Sequence, residues 1–158
     1  MSLQIRALRP NDRAGLEGVL RSDDTFRDDE VDVALELIDD ALDKAESDYW
    51  FRLAEAEGEL AGYICFGPTP MTESTYDLYW VVTHAAHRGK GVAKTLIRHM
   101  EEWLLENKGR SQVRVETSQS EGYGAARRLY AGLGYPEAAR FENFYKEGDD
   151  LIVFYKCL

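Results

Sequence analysis

The stretch His87-Arg88-Gly89-Lys90-Gly91-Val92-Ala93-Lys94-Thr95-Leu96 decides how this chain is read, because it sets glycines and cations in a turn between a strand and a helix. A helix start presents unpaired N–H groups and the positive end of a dipole. Gly89 and Gly91 let the backbone come close to an anion with no Cβ in the way. The stretch is therefore shaped to hold a phosphate. A P-loop needs Gly, four residues, then Gly-Lys-Thr; here Ala93-Lys94-Thr95 puts Ala at the second glycine and Arg88 at the first. A dinucleotide loop needs a small residue at the end of Gly-x-Gly-x-x-Gly, where this chain has Lys94. Both fail, and a third pattern remains: Arg, two residues, Gly91, one residue, Ala93.

Whole-chain properties frame that loop. The 158 residues are 44% hydrophobic and show no compositional break, so a single domain over 1–158 is expected. A formal charge of -10 argues against a nucleic-acid or membrane-surface partner, both of which need a cationic footprint. An electropositive partner such as a protonated amine suits this balance, although acidic charge is also how many domains stay dispersed. Cys65 and Cys157 make no disulfide framework, and the histidines are too scattered for metal-ligand spacing, so no metal is expected. The start Met-Ser-Leu-Gln-Ile-Arg has no apolar signal core and no apolar run reaches bilayer length, which points to the cytoplasm.

Along the chain, Leu3 to Leu8 alternates as a strand, and Pro10-Asn11-Asp12 breaks it into a short helix carrying Leu16, Val19 and Leu20. A second helix starts at Asp28, with Val31, Leu35, Ile38, Leu42 and Ala45 on one face; Asp28, Asp29 and Glu30 suit its N-terminus, and its acidic opposite face reads as solvated surface. Tyr49–Ala56 and Leu60–Phe66 form a hairpin about Glu57-Gly58-Glu59. Tyr76 to Thr83 reads as a buried central strand, and beyond the loop Val92, Leu96, Ile97, Met100 and Leu104 line one helical stripe. The last third reads strand 113–117, helix 125–133, strand 138–144 and strand 151–156. The order β-α-α-β-β-β-α-β-α-β-β is that of a mixed α/β sheet.

The Arg88 to Ala93 loop resembles the pyrophosphate loop of the GNAT family of N-acetyltransferases, R/Q-x-x-G-x-G/A. Ala126-Arg127-Arg128-Leu129-Tyr130-Ala131-Gly132-Leu133-Gly134-Tyr135 resembles that family's A-x-x-L-Y-x-x-x-G-F/Y segment, and the element order is similar over nearly the whole chain. Departures are Tyr123, where many members have Asn, and Thr83-His84-Ala85-Ala86-His87, which replaces the usual approach to the loop. The resemblance implies an α/β acyl-CoA N-acyltransferase fold: a mixed, mostly antiparallel central sheet with a splayed parallel strand pair and flanking helices. It implies acetyl-CoA as cosubstrate, held by Arg88, Gly89, Lys90, Gly91, Val92, Ala93 and Lys94 at the phosphates and by the backbone of Val81, Val82 and Thr83 along the pantetheine arm.

Acetyl transfer to an amine requires a neutral amine, a stabilised oxyanion and a protonated leaving thiol. Tyr130 is the candidate general acid, since a phenol of pKa about 10 is protonated at working pH. As a bland alternative, Tyr130 is a core aromatic beside a buried stripe of Ala126, Leu129 and Leu133. Asp77 and Glu116, on strands that flank the cofactor gap in the resembled family, are candidate bases through water; a carboxylate at Glu116 in a central strand needs either a partner or a task. His84 and His87 are candidates for contact with an anion. Tyr49, Trp50, Tyr76, Tyr79 and Trp80 are divided between sheet core and an acceptor pocket.

The leading expectation is an acetyl-CoA-dependent N-acetyltransferase acting on an amine-bearing small molecule or peptide. The rivals are a non-catalytic acyl-CoA sensor and a nucleotide-binding α/β domain. An exposed C-terminal hairpin edge leaves room for a homodimer.

Overall fold

A computed structural model describes residues 2–158. The elements follow the order β1 (Leu3–Ala7), α1 (Arg13–Leu20), α2 (Asp28–Asp43), β2 (Trp50–Ala56), β3 (Glu59–Pro68), β4 (Thr75–Thr83), α3 (Val92–Lys108), β5 (Gln112–Ser118), α4 (Gly124–Gly132), β6 (Glu137–Lys146) and β7 (Asp149–Cys157). Every expected element is present, with ends shifted by a residue or two. The strands form a seven-stranded sheet in the order β1-β2-β3-β4-β5-β7-β6, mostly antiparallel, with β4 and β5 parallel.

The chain divides into two compact units, one of residues up to Gly67 with Trp80–Met100, the other of Pro68–Tyr79 with Glu101–Leu158. In the first, β1 and β3 flank β2 in antiparallel register. The β2–β3 turn puts Glu57 at φ 53° and Gly58 at φ 83°, the left-handed pair that a two-residue hairpin needs. Leu16, Val19 and Leu20 of α1 and Val31, Ala34, Leu35 and Ile38 of α2 are buried, as their periodicity requires. Ala45 falls beyond the end of α2 and is exposed. Glu30 accepts from the Arg27 N–H at 3.1 Å and so caps the start of α2. Asp12 does not cap α1; its carboxylate takes both ends of the Arg6 guanidinium at 2.8 and 2.9 Å.

In the second unit, the β4–β5 ladder covers Thr75–Leu78 against Gln112–Val115; β5 runs on past it to Ser118, and β4 continues to Thr83, whose residues from Trp80 on belong to the first unit. β5 pairs with β7 along its full length. β6 is the edge strand and is exposed over nearly every residue. Its ladder with β7 breaks between Phe141 and Lys146, where Asn143 takes φ 54° and accepts from the Gly148 N–H at 2.8 Å.

Candidate functional site

The phosphate-type loop lies in the first unit. β4 ends at Thr83, and the His84 N–H then donates to the Ala61 carbonyl at 2.8 Å, which fixes where the chain leaves the sheet. A single helical turn follows, in which His84 Nδ1 accepts from the Ala86 N–H at 3.1 Å and the His87 N–H donates to the His84 carbonyl at 2.8 Å. Gly89 and Gly91 take φ 74° and 78°, a region that any other residue enters only at a cost. A Cβ at either position would meet nothing within 4 Å. These glycines are therefore required by backbone conformation, not by crowding.

Val92 is buried and anchors the first turn of α3. The first i→i−4 bond at this end runs from the Thr95 N–H to the Gly91 carbonyl at 3.0 Å, so the N–H groups of Val92, Ala93 and Lys94 precede the helical ladder. Arg88, Lys90 and Lys94 are exposed around them. Lys90 Nζ donates to the Ala86 carbonyl at 3.2 Å. Cations at a helix N-terminus oppose its dipole, so this placement gives α3 no stability.

Ahead of the loop, Val82 is buried while Val81 and Thr83 are half-buried. Gly62 of β3 faces this segment, and a Cβ there would stand 2.5 Å from the Val82 carbonyl oxygen and 2.9 Å from Val92 Cγ1. Sequence reading passed over Gly62. The available signal was a lone glycine inside a strand, which marks close approach of another backbone.

Tyr130, Asp77 and Glu116 lie in the second unit. Tyr130 is 5% exposed and packs against Phe154 and Tyr135, with ring centroids 5.6 and 6.3 Å away. Burial pushes its phenol well above the ordinary tyrosine value, so the hydroxyl keeps its proton. The expected buried stripe on α4 is corrected here: Ala126, Leu129 and Leu133 are half-buried, and Tyr130 is the large side chain that α4 buries. Arg127 holds α4 to the end of β5, its Nη1 donating to the carbonyls of Ser118 at 2.6 Å and Ser120 at 2.8 Å.

Asp77 is buried, with both oxygens engaged. Oδ1 accepts from Arg114 Nε at 2.7 Å and Oδ2 from Thr69 Oγ1 at 2.8 Å. Glu116 is exposed on β5, two residues from Arg114 and on the same face, so water satisfies its charge and it needs no buried partner. Among the described residues no group of His, Cys, Asp and Glu could hold a metal ion, and no helix is long and apolar enough to cross a membrane.

Comparison with known proteins gives this geometry a relation. The model of the acetyltransferase (GNAT) family matches residues 16–135. A crystal structure from Desulfovibrio desulfuricans, described as an acetyltransferase of the GNAT family, is 34% identical over 99% of both chains, with a TM-score of 0.91. The ribosomal-protein-S18-alanine N-acetyltransferase of Escherichia coli shares the fold at 16% identity, over 99% of this chain and 94% of that one, with a TM-score of 0.78. An aminoglycoside 6'-N-acetyltransferase solved with coenzyme A shares it at 16% identity, over 98% and 96%, with a TM-score of 0.75. A sequence search of curated proteins finds no match. With the family pattern spanning the phosphate-type loop and the Tyr130 segment alike, the chain belongs to the GNAT family of acetyltransferases.

Proposed function

We propose that this protein transfers the acetyl group of acetyl-CoA to a primary amine by direct attack on the thioester, with Tyr130 as the general acid. The observation that carries the reading is the loop. Gly89 and Gly91 are in left-handed conformations with open space around them, the free N–H groups of α3 follow, and cations cluster there in a chain of charge -10. Those residues fit a diphosphate: backbone N–H groups from Gly89 through Ala93 would take its oxygens, and Arg88, Lys90 and Lys94 would add charge. Val81, Val82 and Thr83 lie beyond the β4–β5 ladder, which leaves their strand edge for a pantetheine arm to pair with. When bound, acetyl-CoA supplies an acetyl group activated as a thioester.

The remaining tasks fall to side chains. Tyr130, kept neutral by burial, holds the proton that a departing thiolate needs. Glu116, exposed on β5, accepts a proton from the incoming ammonium through water, whereas Asp77 is committed to Arg114 and Thr69. The acceptor in this reading is a primary amine on a small molecule or a peptide. A net negative surface favours the approach of such a cation.

Thermal shift with acetyl-CoA, CoA, ATP and NAD tests the loop, since a ligand at about 100 times its dissociation constant adds about 2.7 kcal/mol of stability. Stabilisation by acetyl-CoA and CoA alone is expected, and its absence in a folded sample overturns the reading. Thiol release with an amine panel tests catalysis. Tyr130→Phe is expected to keep the CoA shift and lose about 100-fold or more in turnover. Undiminished turnover in that variant removes Tyr130 from the chemistry. A CoA shift with no turnover on any amine favours the non-catalytic sensor.

A further inference from the structure

The connection between α1 and α2 is fastened to the phosphate loop of the same unit by contacts that span more than sixty residues of sequence. Ser22 Oγ donates to the Val19 carbonyl at 2.8 Å and accepts from the Ala85 N–H at 2.9 Å. Asp23 forms an ion pair with the Arg88 guanidinium, and Arg88 Nη2 donates to Thr25 Oγ1 at 3.1 Å. Phe26 sets its ring edge-on to Trp80 of β4, with centroids 5.5 Å apart. The Thr25 N–H donates to Asp23 Oδ1 at 2.9 Å, which holds the carboxylate in place. The strap formed by Ser22, Asp23, Thr25 and Phe26 thus closes on the one loop arginine that heads the phosphate pattern.

Resting on the reading of that loop as a pyrophosphate site, we propose that Asp23 is the resident counter-ion of Arg88. The coenzyme's pyrophosphate displaces it, so filling the loop unfastens the strap. The argument is one of charge. A guanidinium presents a planar fork that matches one bidentate anion, and here the fork is spent on Asp23 and Thr25. A diphosphate arriving at Arg88 meets the Asp23 carboxylate at close range, and two anions on one cation repel unless one withdraws. Asp23 is the one free to move, since it sits on a connection between helices while the loop is anchored by Val92 and the His84–Ala61 bond. Asp23 is then a positioning residue: it acts through Arg88, holds it oriented in the free protein, and lowers the net affinity for coenzyme. Its departure also releases Phe26 from Trp80, which gives the strap an optical reporter.

The test measures CoA affinity by calorimetry for the wild type, Asp23→Asn, Arg88→Gln and the double variant. Asp23→Asn keeps an acceptor for the Thr25 N–H but removes the charge. It is expected to bind CoA about tenfold more tightly, the scale of one charge-assisted hydrogen bond. In the Arg88→Gln background the same change is expected to have no effect, because the counter-ion has lost its cation. Wild-type protein saturated with CoA is expected to exchange the amide hydrogens of residues 22–27 faster and to change its tryptophan emission, the latter signal vanishing in Trp80→Phe. Equal or weaker CoA binding by Asp23→Asn, an effect that persists without Arg88, or slower exchange in the strap overturns the proposal. Wild-type protein that binds no CoA at all overturns instead the pyrophosphate reading on which it rests.

Discussion

Gly62 and Gly91 are both glycines that the chain requires, for opposite reasons, and their alanine variants separate the two. At Gly62 a Cβ would overlap backbone, 2.5 Å from the Val82 carbonyl oxygen and 3.3 Å from Thr83 Cα, and backbone cannot rotate out of the way as a side chain can. Gly62→Ala is therefore expected to cost about 1–3 kcal/mol, the range for overpacking. It should also weaken CoA binding, because the atoms that must yield belong to the segment assigned to the pantetheine arm. At Gly91 the space is open and only the φ of 78° is at stake, so Gly91→Ala is expected to cost about 1–2 kcal/mol of backbone strain. Denaturant unfolding and CoA titration of both variants check this; a Gly62→Ala protein as stable as wild type and with unchanged CoA affinity removes the close approach as a constraint. The glycines of the loop were legible because their meaning is local, a turn before a helix. That of Gly62 was not, because its reason arrives from another strand. The same distance hid the partner of Arg88, which sits in the α1–α2 connection.

Periodicity carried the elements well where a face is buried by neighbours on every turn. The stripe Val92, Leu96, Ile97, Met100 and Leu104 of α3 is at most 1% exposed throughout, as its spacing requires. It failed on α4, nine residues long, where Tyr130 is buried by Tyr135 just past the helix and by Phe154, a ring from β7 that no window around the helix contains. Between β4 and β5 the sequence offered two carboxylates without ranking them, and cross-strand pairing separates them. Asp77 sits opposite Arg114 in the parallel register and bonds it, so it ties the two strands together at the point where their ladder ends one pair later. Arg114 is raised above its ordinary value chiefly by that hydrogen bond. Asp77→Asn is expected to lower stability by about 1–2 kcal/mol, since the arginine is partly exposed and can recover water. It is expected to leave the pH dependence of turnover unmoved. Glu116→Gln should do the reverse, with unchanged stability and a rate that recovers only at higher pH, where more of the amine is already neutral. A pH–rate profile for each variant decides which carboxylate handles the proton, and a shifted profile for Asp77→Asn would reverse the assignment.

At the scale of the whole molecule, the chain buries several phenols and carries an excess of negative charge, 29 acidic residues against 19 basic, and both features set its response to alkali. Tyr63, Tyr130 and Tyr135 are 1%, 5% and 1% exposed, and burial raises each above the ordinary phenol value; for Tyr135 the nearby Glu101 carboxylate adds to the effect. The folded chain thus keeps these protons at a pH where the unfolded chain releases them. Their stabilising contribution is whole below the unfolded value of about 10 and is lost as pH rises above it. Each phenol that must stay neutral in the fold subtracts about 1.4 kcal/mol per pH unit, so together they give a slope of about 4 kcal/mol per unit above pH 10. A domain of ordinary stability, about 5–15 kcal/mol, cannot survive that slope for more than a few units. Self-repulsion among the excess acidic residues adds to it. Of the nine tyrosines, the buried group should ionise only together with unfolding. Absorbance at the phenolate band recorded beside far-UV circular dichroism therefore should show a rise coincident with the loss of ellipticity. A single smooth titration of all nine with the dichroism intact would mean that Tyr130 is not held in an apolar site, and its assignment as a proton donor protected from solvent would fall with it.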